Sequence, residues 1–161
     1  MKVLLCGYYG YANFGDEWSL AAVAAAIRQV EPASELRVIS GQPDQTKALH
    51  GLAAVSRNPY HLYQSLQWMD LLVCGGGSLL QDVTSARSLL FYLGLLALAH
   101  RLGKPVVLWG QGIGPIIRPK LRDLTGKIMN QAALITVRDQ ASLDFLQELG
   151  VQRPPVVLAA D

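Results

Sequence analysis

Four short stretches of this chain carry residues whose types and spacing suit polar chemistry. The first, "GYYGYANFGDEW" at residues 7–18, places three glycines, an Asn and Asp16 between an apolar run and an alanine-rich segment. Its glycines permit positive φ and close approach to the main chain. Asp16 is either a proton donor and acceptor or a helix N-cap. The second, "DLLVCGGGSLLQD" at residues 70–82, runs from an apolar segment straight into Gly75, Gly76 and Gly77, whose N–H groups can meet an anion or a sugar hydroxyl. Ser78 and Gln81 match a capping box at the start of a helix, which needs no ligand. The third, "VVLWGQGIGPI", alternates Gly110, Gly112 and Gly114 around Gln111, whose amide can donate and accept. The fourth, "LITVRDQASLDF", sets Arg138 at the end of an apolar run, with Asp139 able to cap the next helix. A planar guanidinium binds carboxylate or phosphate oxygens in pairs, and an ion pair of Arg138 with Asp139 or Asp16 is the competing use.

The elements that must position these residues alternate along the chain. Strands are expected at 2–6, 36–40, 53–56, 70–74, 105–109, 134–137 and 156–159. Several are apolar throughout, the pattern of strands covered on both faces and therefore parallel with helical crossovers. Helical stripes fall on Leu20, Ala24 and Ile27, on Leu121, Leu124 and Ile128, and on Leu143, Leu146 and Leu149. "GQPDQTKA" and "RNP" read as polar loops. The order predicts a doubly wound α/β sheet of Rossmann type, in which ligands bind beyond the carboxyl ends of the strands. Neither GxGxxG nor GxxxxGK[ST] is present, which removes the usual grounds for NAD or a P-loop nucleotide.

Size and charge narrow the class. A chain of 161 residues that is 51% hydrophobic predicts one domain with a filled core. A net charge of +2 with scattered Lys and Arg offers no stripe for a nucleic-acid backbone. The N-terminus lacks a signal-peptide pattern, and "SLLFYLGLLALA" falls short of the roughly 20 residues needed to cross a bilayer. That stretch reads as a buried helix, with contact at a membrane surface as the alternative, and the expected location is cytoplasmic. Cys6 and Cys74 end apolar runs without CxxC spacing, so neither a metal nor a disulfide is expected. His50, His61 and His100 read as solvated flanks.

Taken together, "GYYGYANFGDE", "GGGSLLQDVTS", "LGKPVVLWGQGIGP" and "TVRDQAS" resemble the polysaccharide pyruvyl transferase family, including bacterial enzymes that modify cell-wall polymers anchoring surface-layer proteins. The resemblance runs along nearly the whole chain. It implies the N-terminal half of a two-domain enzyme of glycosyltransferase B type, with further donor-binding residues in an absent C-terminal domain. It implies transfer of the enolpyruvyl carbons of phosphoenolpyruvate to two hydroxyls of one sugar, releasing phosphate and leaving a cyclic ketal. Phosphoenolpyruvate is then a substrate, and no cofactor or metal is expected. Asp16, matching the Asp after "NFG", takes the acid/base role, and Arg138, matching the Arg of "VRD", neutralises an oxygen-rich end of the donor. Gly10, Asn13, Gly15, Gly75, Gly76, Gly77, Ser78, Gln81, Asp82, Gln111, Gly112 and Gly114 are the expected substrate-binding positions. The implied acceptor is an oligosaccharide or a sugar on a membrane-bound lipid, reached from the inner face of the membrane. Apolar surface left for a partner domain also raises a homodimer as an expectation. Two other classes stay open: a nucleotide-sugar glycosyltransferase of the same architecture, and a non-catalytic binding module.

Overall fold

The apolar pentapeptide "KVLLC" forms β1 (Lys2–Cys6), and Val3, Leu4, Leu5 and Cys6 are all at most 1% exposed, as a strand covered on both faces requires. The computed structural model describes residues 1–159, which fold as two compact units, one ending at Gly77 and the other beginning at Ser78.

In the first unit β1 is followed by α1 (Phe14–Val30), β2 (Glu35–Ile39), α2 (Pro43–His50), β3 (Ala53–Val55), α3 (Pro59–Trp68) and β4 (Leu71–Cys74). The strand order is β3-β2-β1-β4 with every pairing parallel. Cys6 and Cys74 are register partners at the ends of β1 and β4, both buried thiols outside any disulfide, with their sulfurs 2.9 Å apart. Leu20, Val23, Ala24 and Ile27 make the buried stripe of α1.

The second unit comprises β5 (Gly77–Leu80) from Ser78 onward, α4 (Ala86–Arg101), β6 (Val106–Ile113), α5 (Pro119–Met129), β7 (Leu134–Val137), α6 (Gln140–Glu148) and β8 (Val156–Leu158). The strands β6, β7 and β8 pair in parallel, and β5 lies along β6. The apolar α4 packs as a core helix, with Leu89, Tyr92, Leu93, Leu95, Leu96 and Ala99 buried. Each large side chain so covered contributes about 1.5–3 kcal/mol. No helix among the described residues is long and apolar enough to cross a membrane.

Six of the seven expected strands match observed ones within one residue at each end, and β5 (Gly77–Leu80) answers to no expected strand. The strand expected at 105–109 continues to Ile113, so the alternating glycines lie inside β6, which changes register between Leu108 and Gln111. Glycine has no side chain to pack, so it weakens the apolar signal of a strand while leaving its hydrogen bonding intact. The capping box expected at Ser78 and Gln81 does not form, because Gly77–Leu80 is extended and α4 starts later, capped by Ser85. "GQPDQTKA" is largely helical: Pro43 occupies the first turn of α2, and Gly51 closes it in the left-handed region at φ 63°. "RNP" is likewise the capped start of α3, with the Asn58 side chain accepting from the Tyr60 N–H. In α5 the buried face is Thr125, Gly126, Ile128 and Met129, and Leu124 points outward.

Candidate functional site

The loop leaving β1 is organised around Tyr9, which turns back into the core and is 1% exposed. A methyl group at Gly7 would collide with its ring, and one at Gly75 with its hydroxyl. Both positions therefore admit an aromatic side chain. Gly10, at φ 77°, lies so close to Ser40 and the Gln42 amide that a Cβ there has no room. Its own N–H donates to Glu17 Oε1 at 2.8 Å. Among the described residues Ala12, at φ 55°, is the non-glycine residue held in the left-handed region.

Asn13, rather than Asp16, caps α1: its side chain accepts from the Gly15 N–H at 3.2 Å. Gly15 is exposed in the same turn, and a Cβ there would meet only Asn13, 3.7 Å from its Oδ1. Asp16 is thereby released from capping and sits half-buried in the first turn, with Oδ1 3.0 Å from where a Gly77 Cβ would stand. Burial, and then the charge of Glu17, push its carboxyl above the ordinary value of 3.8. A carboxyl with raised proton affinity beside open backbone can give and take a proton. Gly77 is at φ 94° and Gly76 is buried.

Sequence reasoning missed the partner of Glu17. His50 Nε2 lies 2.7 Å from Glu17 Oε2, and the two side chains are 10% and 14% exposed, so His50 is not a solvated flank. No local signal joins residues 33 positions apart, and α2, which carries His50, read as a loop. The pair faces a cavity of about 490 Å³ whose other walls include Phe14, Trp18 and Leu49. His61, by contrast, is exposed and bonded to Ser56, and burial lowers the proton affinity of His100.

The second unit builds a polar cradle. Arg138, at the end of β7, donates from Nη2 to Ser78 Oγ at 3.0 Å, and its Nε lies 3.4 Å from Asp139 Oδ2. A Cβ at Gly112 would fall 2.7 Å from that Oγ and 2.8 Å from that Nη2, so the bare backbone of β6 makes the space for the guanidinium. Asp139 caps α6, accepting from the Ser142 N–H at 2.7 Å, and Ser142 Oγ accepts from the Ile113 N–H at 2.9 Å. Ser142's hydrogen bonds first, and then Arg138, hold the Asp139 carboxyl below the ordinary value. Gly114, at φ 84°, donates to the Leu80 carbonyl and leaves room for the Phe145 ring. Ser78, Gly112, Gly114, Arg138 and Asp139 all line a cavity of about 320 Å³. Serine hydroxyl, guanidinium and the start of a helix together suit an anion or a polyol.

The remaining expected positions have structural partners. Asp82 is fully buried, its carboxylate accepting from the N–H groups of Ile117 and Arg118 and from Arg118 Nη1, and these bonds, that from Ile117 first, lower its proton affinity. Gln81 holds the turn before α4 through Thr84, and Gln111 is buried at the irregularity of β6. Among the described residues no cluster of three His, Cys, Asp or Glu is placed to hold a metal ion.

The mostly parallel α/β fold is similar to part of glycosyltransferases of the B type. Anabaena HepE, solved with UDP and glucose, superimposes with a TM-score of 0.59 at 15% identity, over 98% of this chain and 44% of that one. The lipopolysaccharide outer core galactosyltransferase WaaB gives 0.61 at 14% identity, over 100% of this chain and 46% of that one. The chain thus spans less than half the length of these structures. No curated protein matches the sequence. A sequence model of the polysaccharide pyruvyl transferase family matches residues 13–161, and the chain belongs to that family.

Proposed function

We propose that this chain supplies part of the catalytic apparatus for transferring pyruvyl from phosphoenolpyruvate to a polysaccharide sugar. The observation that carries the reading is family membership over residues 13–161, and the arrangement of Arg138, Ser78 and Gly112 supports it. In the proposed reaction the methylene carbon of the donor gains a proton and the central carbon becomes cationic. A first sugar hydroxyl attacks that carbon and returns a proton to the acid/base group, phosphate leaves with its oxygen, and a second hydroxyl closes the ketal as its proton passes to the departing phosphate. Asp16, whose raised proton affinity keeps a proton available nearer neutrality, is assigned the acid/base role. Arg138 and Ser78 are assigned the carboxylate or phosphate of the donor. The remaining donor contacts are assigned to a second domain, and the acceptor to a lipid-linked or free oligosaccharide at the cytoplasmic face of a membrane.

The fold also supports a second reading, a nucleotide-sugar glycosyltransferase, because the similar structures include one holding UDP and glucose. Phosphorus NMR of the full-length protein with phosphoenolpyruvate and an oligosaccharide bearing vicinal or 4,6-hydroxyls separates the two. Acceptor-dependent release of inorganic phosphate is expected. Release of UDP from UDP-glucose, with phosphoenolpyruvate untouched, would replace the first reading by the second.

A further inference from the structure

We infer that Glu17 and His50 form a clamp that holds the loop after β1 against α1 and α2 and so sets where Asp16 presents its carboxyl. The inference rests on the acid/base reading of Asp16 given above.

Both oxygens of Glu17 are committed, Oε1 to the Gly10 N–H at 2.8 Å and Oε2 to His50 Nε2 at 2.7 Å. The clamp therefore ties three segments, the loop, the first turn of α1 and the last residue of α2, through one side chain. It is largely withdrawn from water, where charge-assisted hydrogen bonds are stronger. Between the clamp at Gly10 and the cap at Asn13 lies Ala12 at φ 55°. An alanine persists in the left-handed region only where its surroundings over-determine it, and the two pins on either side do so. Asp16 follows directly, one residue before Glu17 on the same helical turn. After burial, the charge of Glu17 is the other cause of the raised proton affinity of Asp16, and His50 on α2 is the titratable group facing Glu17.

Two readouts that need no substrate test the clamp: amide exchange at Gly10 and carbon-13 titration of the Asp16 carboxyl, in Glu17→Ala, Glu17→Gln and His50→Ala. Loss of the acceptor in Glu17→Ala is expected to speed Gly10 exchange by at least about tenfold, and His50→Ala to speed it by less. Glu17→Gln keeps an oxygen for the Gly10 N–H, so protection is retained while the Asp16 midpoint moves down as the neighbouring charge is lost. Unchanged Gly10 exchange in Glu17→Ala and His50→Ala, with circular dichroism reporting an intact fold, overturns the clamp. So does loss of Gly10 protection in Glu17→Gln, which keeps the acceptor oxygen. If Glu17→Ala does not fold, the other two variants decide. Failure of the acid/base reading shows differently, as full turnover of Asp16→Asn in the full-length protein with Gly10 exchange unaltered.

Discussion

Arg138 rests on Ser78, Nη2 to Oγ at 3.0 Å, in space that exists because residue 112 has no side chain. Three strands meet in that contact, since Ser78 lies on β5, Gly112 on β6 and Arg138 at the end of β7. The arrangement converts a glycine that looked like a turn signal into a cradle for a cation. It also separates the cost of altering the cradle from the cost of altering the fold.

Gly112→Ala puts a methyl group against two side-chain ends that can move, so the expected loss is about 1–3 kcal/mol of stability with retained secondary structure. The displaced Arg138 should weaken phosphoenolpyruvate use far more than that loss explains. Thermal unfolding together with donor kinetics of the full-length protein measures both quantities.

For Arg138→Ala the expected stability change is under about 1 kcal/mol, because the side chain is 35% exposed and its ion pair with Asp139 is screened. The Michaelis constant for phosphoenolpyruvate should rise by at least about tenfold, the usual scale for losing a charge-assisted contact to an anion. Unaltered donor kinetics would falsify the assigned role.

Asp16→Asn should stabilise the chain at neutral pH while abolishing most turnover. The sign follows from the raised proton affinity of Asp16, caused first by burial and then by Glu17. A carboxyl that holds its proton more tightly when folded favours the fold below the unfolded value, and that contribution is lost as pH rises through the folded value. Near pH 7 the charged form therefore burdens the native state, and an amide removes the burden. Denaturant midpoints of both proteins at pH 7 and pH 3 should differ at the first and converge at the second.

Asp82 and Asp139 act in the opposite sense, because hydrogen bonds from Ile117 and Arg118, and from Ser142 and Arg138, favour their charged forms. Their stabilisation is complete above the ordinary carboxyl value of 3.8 and is lost as pH falls through the lower folded values. Asp82→Asn should lower stability at neutral pH and flatten the acid limb of a stability curve between about pH 4 and pH 2. An acid limb of unchanged steepness in the variant would assign acid sensitivity to other carboxylates.

Gly75→Ala tests packing apart from chemistry. The added methyl group meets the hydroxyl of Tyr9, a side chain that is 1% exposed and has nowhere to retreat. Overpacking of this kind costs about 1–3 kcal/mol, which a shift of the denaturation midpoint at unchanged slope would register.

Sequence alone determined the architecture, because burial on both faces of a parallel sheet imposes continuous apolar strands, and "KVLLC" or "LITV" satisfy that rule locally. It also singled out Arg138, because a charged residue directly after the apolar run "LITV" marks a strand end. Local pattern failed where glycine hides burial: β6 runs on through Gly110 and Gly112, and Gly77–Leu80 is a strand. Tertiary structure alone decided what each glycine is for, with Gly7 and Gly75 admitting Tyr9 and Gly112 admitting Arg138. It also decided that His50 meets Glu17 from α2. The reason is physical: a residue's secondary structure follows from its neighbours in the chain, whereas the space beside a missing side chain and the partner of a buried charge are set by segments distant in sequence.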